Sequence, residues 1–477
     1  MPRYLVHFAQ FHEDFRLAEL EALAQLENIP LKYEPDAYSN DNPFLLVELP
    51  SNEDARRLVQ RAILVKEICE YWGSGDSYDS LFAHLKTTPE RWDDFKTCSF
   101  KFLVKAFGGT RTIKEQIKII NTFSFLAFEG PIDLKNPDEV FIVYEDYGND
   151  PILQKALTNP NEIHFGRLIA YSNRDVVQTY NLKKREYLGN TSMDAELSLV
   201  MANQALARPG TITYDPFVGT GSFLLTCAHF GAFTMGSDID GRQIRGARGE
   251  TDGIKTNIKQ YGLDKLILDT LVFDISRNPW RQNNSGGTST RGGPWFDAIV
   301  TDPPYGVRAG AKRLGRKTGL NPELSFVEVE GTVNHLRSDY YPPTVPYEMS
   351  EVLTDLLEFA ARHLVVGGRL VYWLPTVVDE YSSDDVPLHP CLELKANSEQ
   401  NFGSWSRRLI TMEKSRDWEN LTGATIAAAQ VSDETAKSTP PVQLGHYNFR
   451  EKYFSKFDSN SGSSTPNEAV IPAEPTS

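Results

Sequence analysis

Four cysteines in 477 residues, Cys69, Cys98, Cys227 and Cys391, are too few and too scattered for a disulfide framework, and none stands in a CxxC pair. Buried or free thiols in a reducing compartment are the expectation. The nine histidines form no local metal motif either, so no metal site is expected in this chain. Long apolar runs are missing: nothing approaches the roughly 20 residues of a membrane span. The opening MPRYLVHFAQFHEDF also lacks the apolar core of a signal peptide. These absences point to a soluble protein of the cytoplasm. Positive charge is in deficit, with 49 Lys and Arg against 64 Asp and Glu giving −15. That balance opposes non-specific attraction to a polyanion, so any nucleic-acid function needs local basic surfaces. Aromatic residues are plentiful, with 26 Phe, 20 Tyr and 7 Trp, enough for two or three cores at this length.

The first third alternates strand-like and helical segments. YLVHFA, PFLLVELP, FKFLVKAF and FIVYEDY read as strands, while FRLAELEALAQLENI and KEQIKIINTFSFL read as helices. This is a mixed α+β module. Residues 161–189, with HFGRLIAYS and the basic LKKREYLG, read as a connection to a second pattern starting near Asn190. From there TITYD, AFTMGSD, DTLVFD, FDAIVTD and GRLVYWLP alternate with helical stretches, which predicts a parallel α/β sheet covered by helices on both faces. Residues 281–294, RQNNSGGTSTRGGP, read as an exposed insertion.

The first chemical signal is TITYDPFVGTGSFLL, a strand, a tight turn and a helix. Gly219 and Gly221 let the backbone pass closely under a ligand, where a side chain would obstruct it. Thr220 and Ser222 bond locally, and Phe217 packs beside the turn. Asp215, at the strand end, can accept from a ligand ammonium, a charge-assisted contact. The spacing is not GxGxxG, and the acid before the turn sets it apart from a dinucleotide site. The next strand ends at Asp238, the preferred acceptor for ribose hydroxyls, with Asp240 competing for that role and Ile239 available to cover an adenine face. Asp274 after LVF, beside Ile275, is the third such acid and reads either as an acceptor for the adenine amino group or as a helix cap. Open parallel sheets bind ligands at this carboxyl edge. The pattern implies S-adenosylmethionine.

The sharpest signal is FDAIVTDPPYGVR. A buried-looking strand delivers Asp302, Pro303, Pro304 and Tyr305 into a loop whose paired prolines restrict the backbone. An amine on an aromatic base is a poor nucleophile, because its lone pair is delocalised into the ring. Acceptors from Asp302 and the Pro303 carbonyl would grip its N–H bonds, and the Tyr305 ring would stack on a displaced base. Alignment of nitrogen, methyl carbon and sulfur is then the dominant demand.

Together with GRLIAYSNRD, LKKREYLGNTSMDAELS, MGSDID and TDPPYGVRAGAKR, these segments make the chain resemble the THUMP-containing RNA methyltransferases, specifically the tRNA guanine-10 N2-methyltransferases, over roughly residues 1–415. The resemblance implies an N-terminal α+β region (1–60), a THUMP-like tRNA-binding domain (61–180) and a Rossmann-like class I methyltransferase domain (181–415). A polar extension (416–477) follows, with a packed segment at 445–454. It also implies that Asn190 and Thr191, within NTSMD, help close the cofactor pocket, that Asp302 acts at the amine, and that the partner is a small activator protein carrying its own zinc.

Under that reading the basic candidates for RNA contact are Lys101, Lys105, Arg111, Lys114 and Lys118 in the THUMP region and Lys183, Lys184 and Arg185 between domains. Arg308, Lys312, Arg313, Arg316 and Lys317 follow the catalytic loop. The competing readings are an adenine-N6 or protein-glutamine-N5 methyltransferase, since DPPY serves several planar amines, and a catalytically silent RNA-binding scaffold.

Overall fold

The computed structural model describes residues 1–149, 159–189, 192–246, 253–280, 294–305, 311–315, 328–329, 331–333 and 342–418. These fall into two compact units, Met1–Gly236 with Arg242–Thr270, and Ser237–Gly241 with the residues from Leu271 onward.

In the first unit a six-stranded sheet is built from β1 (Arg3–Phe8), β2 (Phe44–Glu48), β3 (Val65–Gly75), β4 (Phe100–Phe107), β5 (Glu139–Asp146) and β6 (Glu162–Tyr171), in the order β2-β1-β3-β6-β5-β4. Only the β4–β5 pair is parallel. The two-residue period of β1 sends Tyr4, Val6 and Phe8 into one core with Leu20, Leu23 and Leu58, while Leu5 joins Phe44 and Tyr144 in another. A third core stacks Trp72, Phe141 and Phe165 under the segments after β3. Two of the covering helices begin where a hydroxyl satisfies an orphan N–H: Ser51 caps α2 (Asn52–Val59) and Thr112 closes a capping box on α4 (Ile113–Thr122), α1 being Arg16–Glu27 and α3 Tyr78–Leu85.

One sheet thus spans residues 1–171, and no break falls at residue 60. HFGRLIAYS, read from the sequence as a connection, is the interior strand β6, pairing with β3 and β5. One of its two neighbours, β3, comes from a distant part of the chain, which local periodicity cannot show. After α5 (Val176–Thr179), α6 (Ala195–Gln204) packs on α1 through the fully buried Glu19. The Glu19 carboxylate accepts from the Ile63 and Leu64 amides at 3.0 and 2.7 Å and from the Asn203 amide at 2.6 Å. In the same unit β7 (Ile212–Asp215) runs parallel to β8 (Phe233–Asp238), flanked by α7 (Ser222–His229). The Thr234 amide donates to the Leu266 carbonyl just ahead of β9 (Ile267–Val272). Two further helices, α8 (Gly241–Arg245) and α9 (Ile254–Tyr261), lie between β8 and β9 in the chain.

The second unit centres on β10 (Phe296–Thr301), followed by the short strands β11 (Lys312–Leu314), β12 (Glu328–Val329), β13 (Thr332–Val333) and β14 (Thr344–Pro346), helix α10 (Met349–His363) and the long β15 (Leu364–Val377). β10 and β15 are parallel, as the alternation predicts. β16 (Leu392–Asn401) and β17 (Trp405–Lys414) then form a hairpin that adds antiparallel strands beside β15. A parallel α/β core ending in an antiparallel hairpin is a Rossmann-like methyltransferase architecture. Among the described residues no helix is long and apolar enough to cross a membrane. The insertion at 281–293 and the extension from 419 onward, including the segment 445–454, lie outside the described residues.

Candidate active site

The turn after β7 is held from both sides. Asp215 is 1% exposed, and its Oδ1 accepts the Phe217 amide at 3.0 Å, so the carboxylate organises the loop it precedes. Gly219 and Gly221 have φ of 49° and 84°, backbone that disfavours any side chain, and the Gly221 amide closes the turn onto the Val218 carbonyl at 2.7 Å. Thr220 and Ser222 are buried and turned inward. The Ser222 hydroxyl receives hydrogen bonds from Arg185 at 2.8 Å and from the Met193 amide at 3.1 Å, and Thr220 Oγ1 pairs with Ser192 at 2.8 Å. Arg185, Ser192 and Met193 are therefore tied to the turn. Asn190 and Thr191 lie outside the described residues.

At the end of β8 the half-buried Asp238 accepts the Asp240 amide at 2.8 Å, and Ile239 is half-buried between them. Asp274 is 3% exposed beside the buried Ile275; its Oδ1 caps the following turn through the Ser276 amide at 2.9 Å, and its Oδ2 takes the Leu314 amide at 2.5 Å. Of its two sequence readings, the one visible here is the cap, extended into a clamp on β11. In the first unit the strand-end Asp215 and the Gly turn fit the ammonium and close approach of S-adenosylmethionine, and in the second Asp238 and Ile239 fit a ribose hydroxyl and apolar cover. At Gly236 a Cβ would lie 2.7 Å from Val218 Cγ2, so this position packs tightly against the turn. Asp215→Ala is expected to weaken S-adenosylmethionine binding by about 10- to 100-fold, the usual loss for a hydrogen bond to a charged group, read by calorimetry. An unchanged Kd would remove Asp215 from the site.

β10 is buried along nearly its whole length and pairs with β15 up to Thr301 opposite Tyr372, so the chain leaves the sheet at Asp302. Pro303 is buried, while Asp302, Pro304 and Tyr305 are half-buried. The Tyr305 hydroxyl donates to Asp302 Oδ1 at 2.5 Å. Where the sequence reading gave Tyr305 only a stacking ring, the structure shows its hydroxyl engaged with the carboxylate. Desolvation pushes the Asp302 carboxyl above its ordinary range, opposed by the charge of Arg407 and the bond from Tyr305. Desolvation, then the Asp302 charge, drives the Tyr305 phenol well above its ordinary value, so it stays protonated as a donor.

Sequence reasoning missed Arg407. It stands on β17 opposite Pro375 of β15, with Nε donating to Gln400 at 2.8 Å and its guanidinium 4.1 Å over the Trp373 ring. Its charge opposes the upward push of desolvation on Asp302 and Tyr305. The available signal was the alternation in WSRRLITMEK, which places Arg407 and Leu409 on one strand face.

Several basic candidates are not aimed at solvent. Arg185 is 4% exposed and bound to Ser222, a strut of the cofactor turn rather than an RNA contact. Lys105 grips both oxygens of Glu67 at 2.6 and 2.7 Å, and Arg111 forks onto the buried Glu145 at 2.8 and 2.9 Å. Lys105 and Arg111 are thus paired with carboxylates of the fold. Arg313 pairs with Glu351 at 3.1 Å, and Lys312 is exposed. Lys114, Lys118, Lys183 and Lys184 are exposed and Lys101 is half-buried, while Arg308, Arg316 and Lys317 lie outside the described residues. Lys183→Glu with Lys184→Glu is expected to weaken tRNA binding several-fold and flatten its salt dependence, measured by filter binding across salt concentrations, since each lost phosphate contact lowers the slope by roughly one. An unaltered slope would place these lysines outside the RNA footprint.

Comparison with known proteins agrees with this geometry. Residues 2–174 match the family model described as Tmrp11 THUMP N-terminal domain, and residues 183–324 match the RMKL-like methyltransferase domain. The chain is 42% identical over 467 residues to the tRNA (guanine(10)-N(2))-methyltransferase TRMT11 of Homo sapiens, covering 95% of each chain. It is 41% identical over 493 residues to the tRNA (guanine(10)-N(2))-methyltransferase of Schizosaccharomyces pombe, covering 95% of this chain and 97% of the relative. With its counterpart in Saccharomyces cerevisiae it shares 40% over 467 residues, 96% of this chain and the whole of the relative. Matches of this identity over nearly the full length show that the chain belongs to the tRNA (guanine(10)-N(2))-methyltransferase family.

Proposed function

We propose that this chain transfers the methyl group of S-adenosylmethionine to the exocyclic N2 of guanosine 10 in tRNA, as the catalytic subunit of a heterodimer with a small zinc-binding activator. The observation that carries the reaction is Asp302, a desolvated carboxylate held by Tyr305 at the carboxyl end of β10. S-adenosylmethionine supplies a methyl already activated on a sulfonium. This chain supplies orientation. The unoccupied acceptor capacity of Asp302, with the Pro303 carbonyl, takes the amine N–H bonds, weakens delocalisation of the lone pair into the ring and holds the nitrogen for in-line attack. As the new N–C bond forms, the amine gives up one proton, to the Asp302 carboxylate or through it to water.

A carboxylate is an acceptor only. Guanine presents two adjacent donors, N1–H and N2–H, and suits it. Adenine N6 presents the same N–H donors, so the adenine-N6 and protein-glutamine alternatives are disfavoured instead by the THUMP-family N-terminal module and the full-length relatives. The retained Asp215, Asp238 and Asp302 disfavour a silent scaffold. For the activator, β9 offers a terminal strand of its sheet with Leu268 and Val272 about half exposed, 51% and 50%. Among the described residues no group of three His, Cys, Asp or Glu could hold a metal ion.

The test is to incubate the chain, with and without the activator, with S-adenosylmethionine and unmodified tRNA, and to map product by nuclease digestion and mass spectrometry. N2-methylguanosine at position 10 is expected. N6-methyladenosine, or a methylated protein alone, would overturn the assignment.

A further inference from the structure

We propose that Asp274 is a positioning residue for methyl transfer: its carboxylate anchors the β11–β14 ribbon that follows the catalytic loop, so that the loop carrying Asp302 and Tyr305 is held at both ends. The inference rests on the function proposed above. It places the work of the acid after β9 at the loop that orients the substrate amine, not at the adenine amino group of the cofactor.

β11 and β14 pair antiparallel, Lys312 with Pro346, Arg313 with Val345 and Leu314 with Thr344. Backbone bonds close both ends of the ribbon, from the Tyr347 amide to the Ala311 carbonyl at 2.9 Å and from the Gly315 amide to the Pro343 carbonyl at 3.1 Å. A two-stranded ribbon is marginal in water and needs support from outside itself. Two tethers supply it. The Leu314 amide donates to Asp274 Oδ2 at 2.5 Å, while Oδ1 holds the Ser276 amide at 2.9 Å. A buried carboxylate thus ties the ribbon to the turn after β9, with one backbone N–H on each oxygen. The second tether comes from α10. Tyr347, buried just after β14, donates its hydroxyl to Asp355 Oδ2 at 2.5 Å, and Arg313 of β11 pairs with Glu351 at 3.1 Å. Gly315 fits because a Cβ there would lie 2.9 Å from Val345 Cγ2 across the ribbon.

The catalytic loop lies between two fixed points. The sheet holds it at Thr301, where β10 pairs with Tyr372 of β15, and the ribbon takes up the chain again at Ala311. A segment fixed at both ends samples far fewer conformations than one fixed at a single end. Methyl transfer depends on the alignment of nitrogen, carbon and sulfur, so freedom in the loop is lost rate. Asp274 and Tyr347 act on the ribbon from separate elements, the turn after β9 and the helix α10, so each tether can be cut without cutting the other. An acid whose chief work was to accept from adenine would give the opposite pattern, a loss of cofactor affinity with the rate at saturation intact.

The test compares wild type, Asp274→Ala and Tyr347→Phe, each as the purified full chain with its activator. Three quantities are read: the Kd for S-adenosylmethionine by calorimetry, kcat and KM for tRNA at saturating cofactor, and hydrogen exchange of the amides at 311–315. In Asp274→Ala kcat should fall by about 10- to 100-fold, the scale of a misplacement near 1 Å at a reacting centre. The cofactor Kd and the KM for tRNA should stay within a few-fold of wild type, and the Leu314 amide should lose its protection. Tyr347→Phe keeps Asp274 and should lower kcat in the same direction, again without a change in cofactor Kd. If Asp274→Ala fails to fold, as judged by melting, Tyr347→Phe carries the test, since it removes a single hydroxyl. A kcat at the wild-type level in the folded variants would overturn the proposal. So would a cofactor Kd that weakens as far as kcat falls, or a Leu314 amide as protected in Asp274→Ala as in wild type. None of these results touches the identity of the wild-type product, whereas a wrong product from the wild type would overturn the functional reading and leave the exchange of the ribbon amides as a separate measurement.

Discussion

Asp302→Ala should lower kcat for methyl transfer by about a thousandfold, within the range of 10²–10⁴ expected when a group aimed at the reacting atom is removed. The loss should fall on kcat, with the KM for tRNA and the Kd for S-adenosylmethionine within a few-fold of wild type. The reason lies in what the side chain touches. Its hydrogen bond comes from Tyr305, three residues along the same loop, and β10 is secured by its buried apolar residues and its pairing with β15. Removing the carboxylate therefore takes away the amine acceptor and a desolvated charge, and leaves the sheet intact. Asp302→Asn should lose nearly as much, because its amide can turn a donor toward a donor. Stopped-flow single turnovers separate this step from binding, and wild-type turnover in either variant would remove Asp302 from the mechanism.

Glu67→Ala should destabilise the N-terminal unit by about 3 kcal/mol, the scale for breaking a buried ionic cluster. Glu67 is 2% exposed and receives hydrogen bonds from His7 at 2.8 Å, Lys105 at 2.6 Å and Tyr144 at 2.9 Å. Burial raises its carboxyl, but the bond and charge of His7 and then those of Lys105 more than offset this, holding it at about 2 against an ordinary 4.5. The folded value lies below the unfolded one. The contribution is therefore present above about pH 4.5, and it is lost as pH falls through about 2. Desolvation lowers the His7 pKa, opposed by the bond and charge of Glu67. Hydrogen exchange of β1, β3 and β5 amides should show protection falling with pH in the wild type, and a flatter dependence in Glu67→Gln. Equal protection in Glu67→Ala and wild type would show the cluster to be energetically neutral.

The parts of this molecule that could be read from its sequence are those made by neighbours in the chain. Asp215, Gly219 and Gly221 form a turn whose hydrogen bonds close within a few residues, and Asp302 to Tyr305 lie in one loop with paired prolines. What escaped reading depends on distant partners. Lys105 looks like a solvated lysine in FKFLVKAF, yet its counter-ion is 38 residues earlier, and Arg185, the last charge of a basic triplet, ends on a hydroxyl 37 residues later. Arg407 was hidden for a related reason. LELKANSEQN is too polar to announce a strand, so the β16–β17 hairpin went unread, and with it the place of Arg407 over Trp373.

The central claim is that the N2 amine of guanosine 10 is the atom gripped by Asp302, and a substrate lacking only that amine tests it most directly. A tRNA carrying inosine at position 10 keeps the shape, the phosphates and the O6 edge. The account predicts that it binds like the guanosine tRNA and accepts no methyl group. Methyl incorporation into the inosine tRNA at a rate comparable to the guanosine tRNA would contradict it.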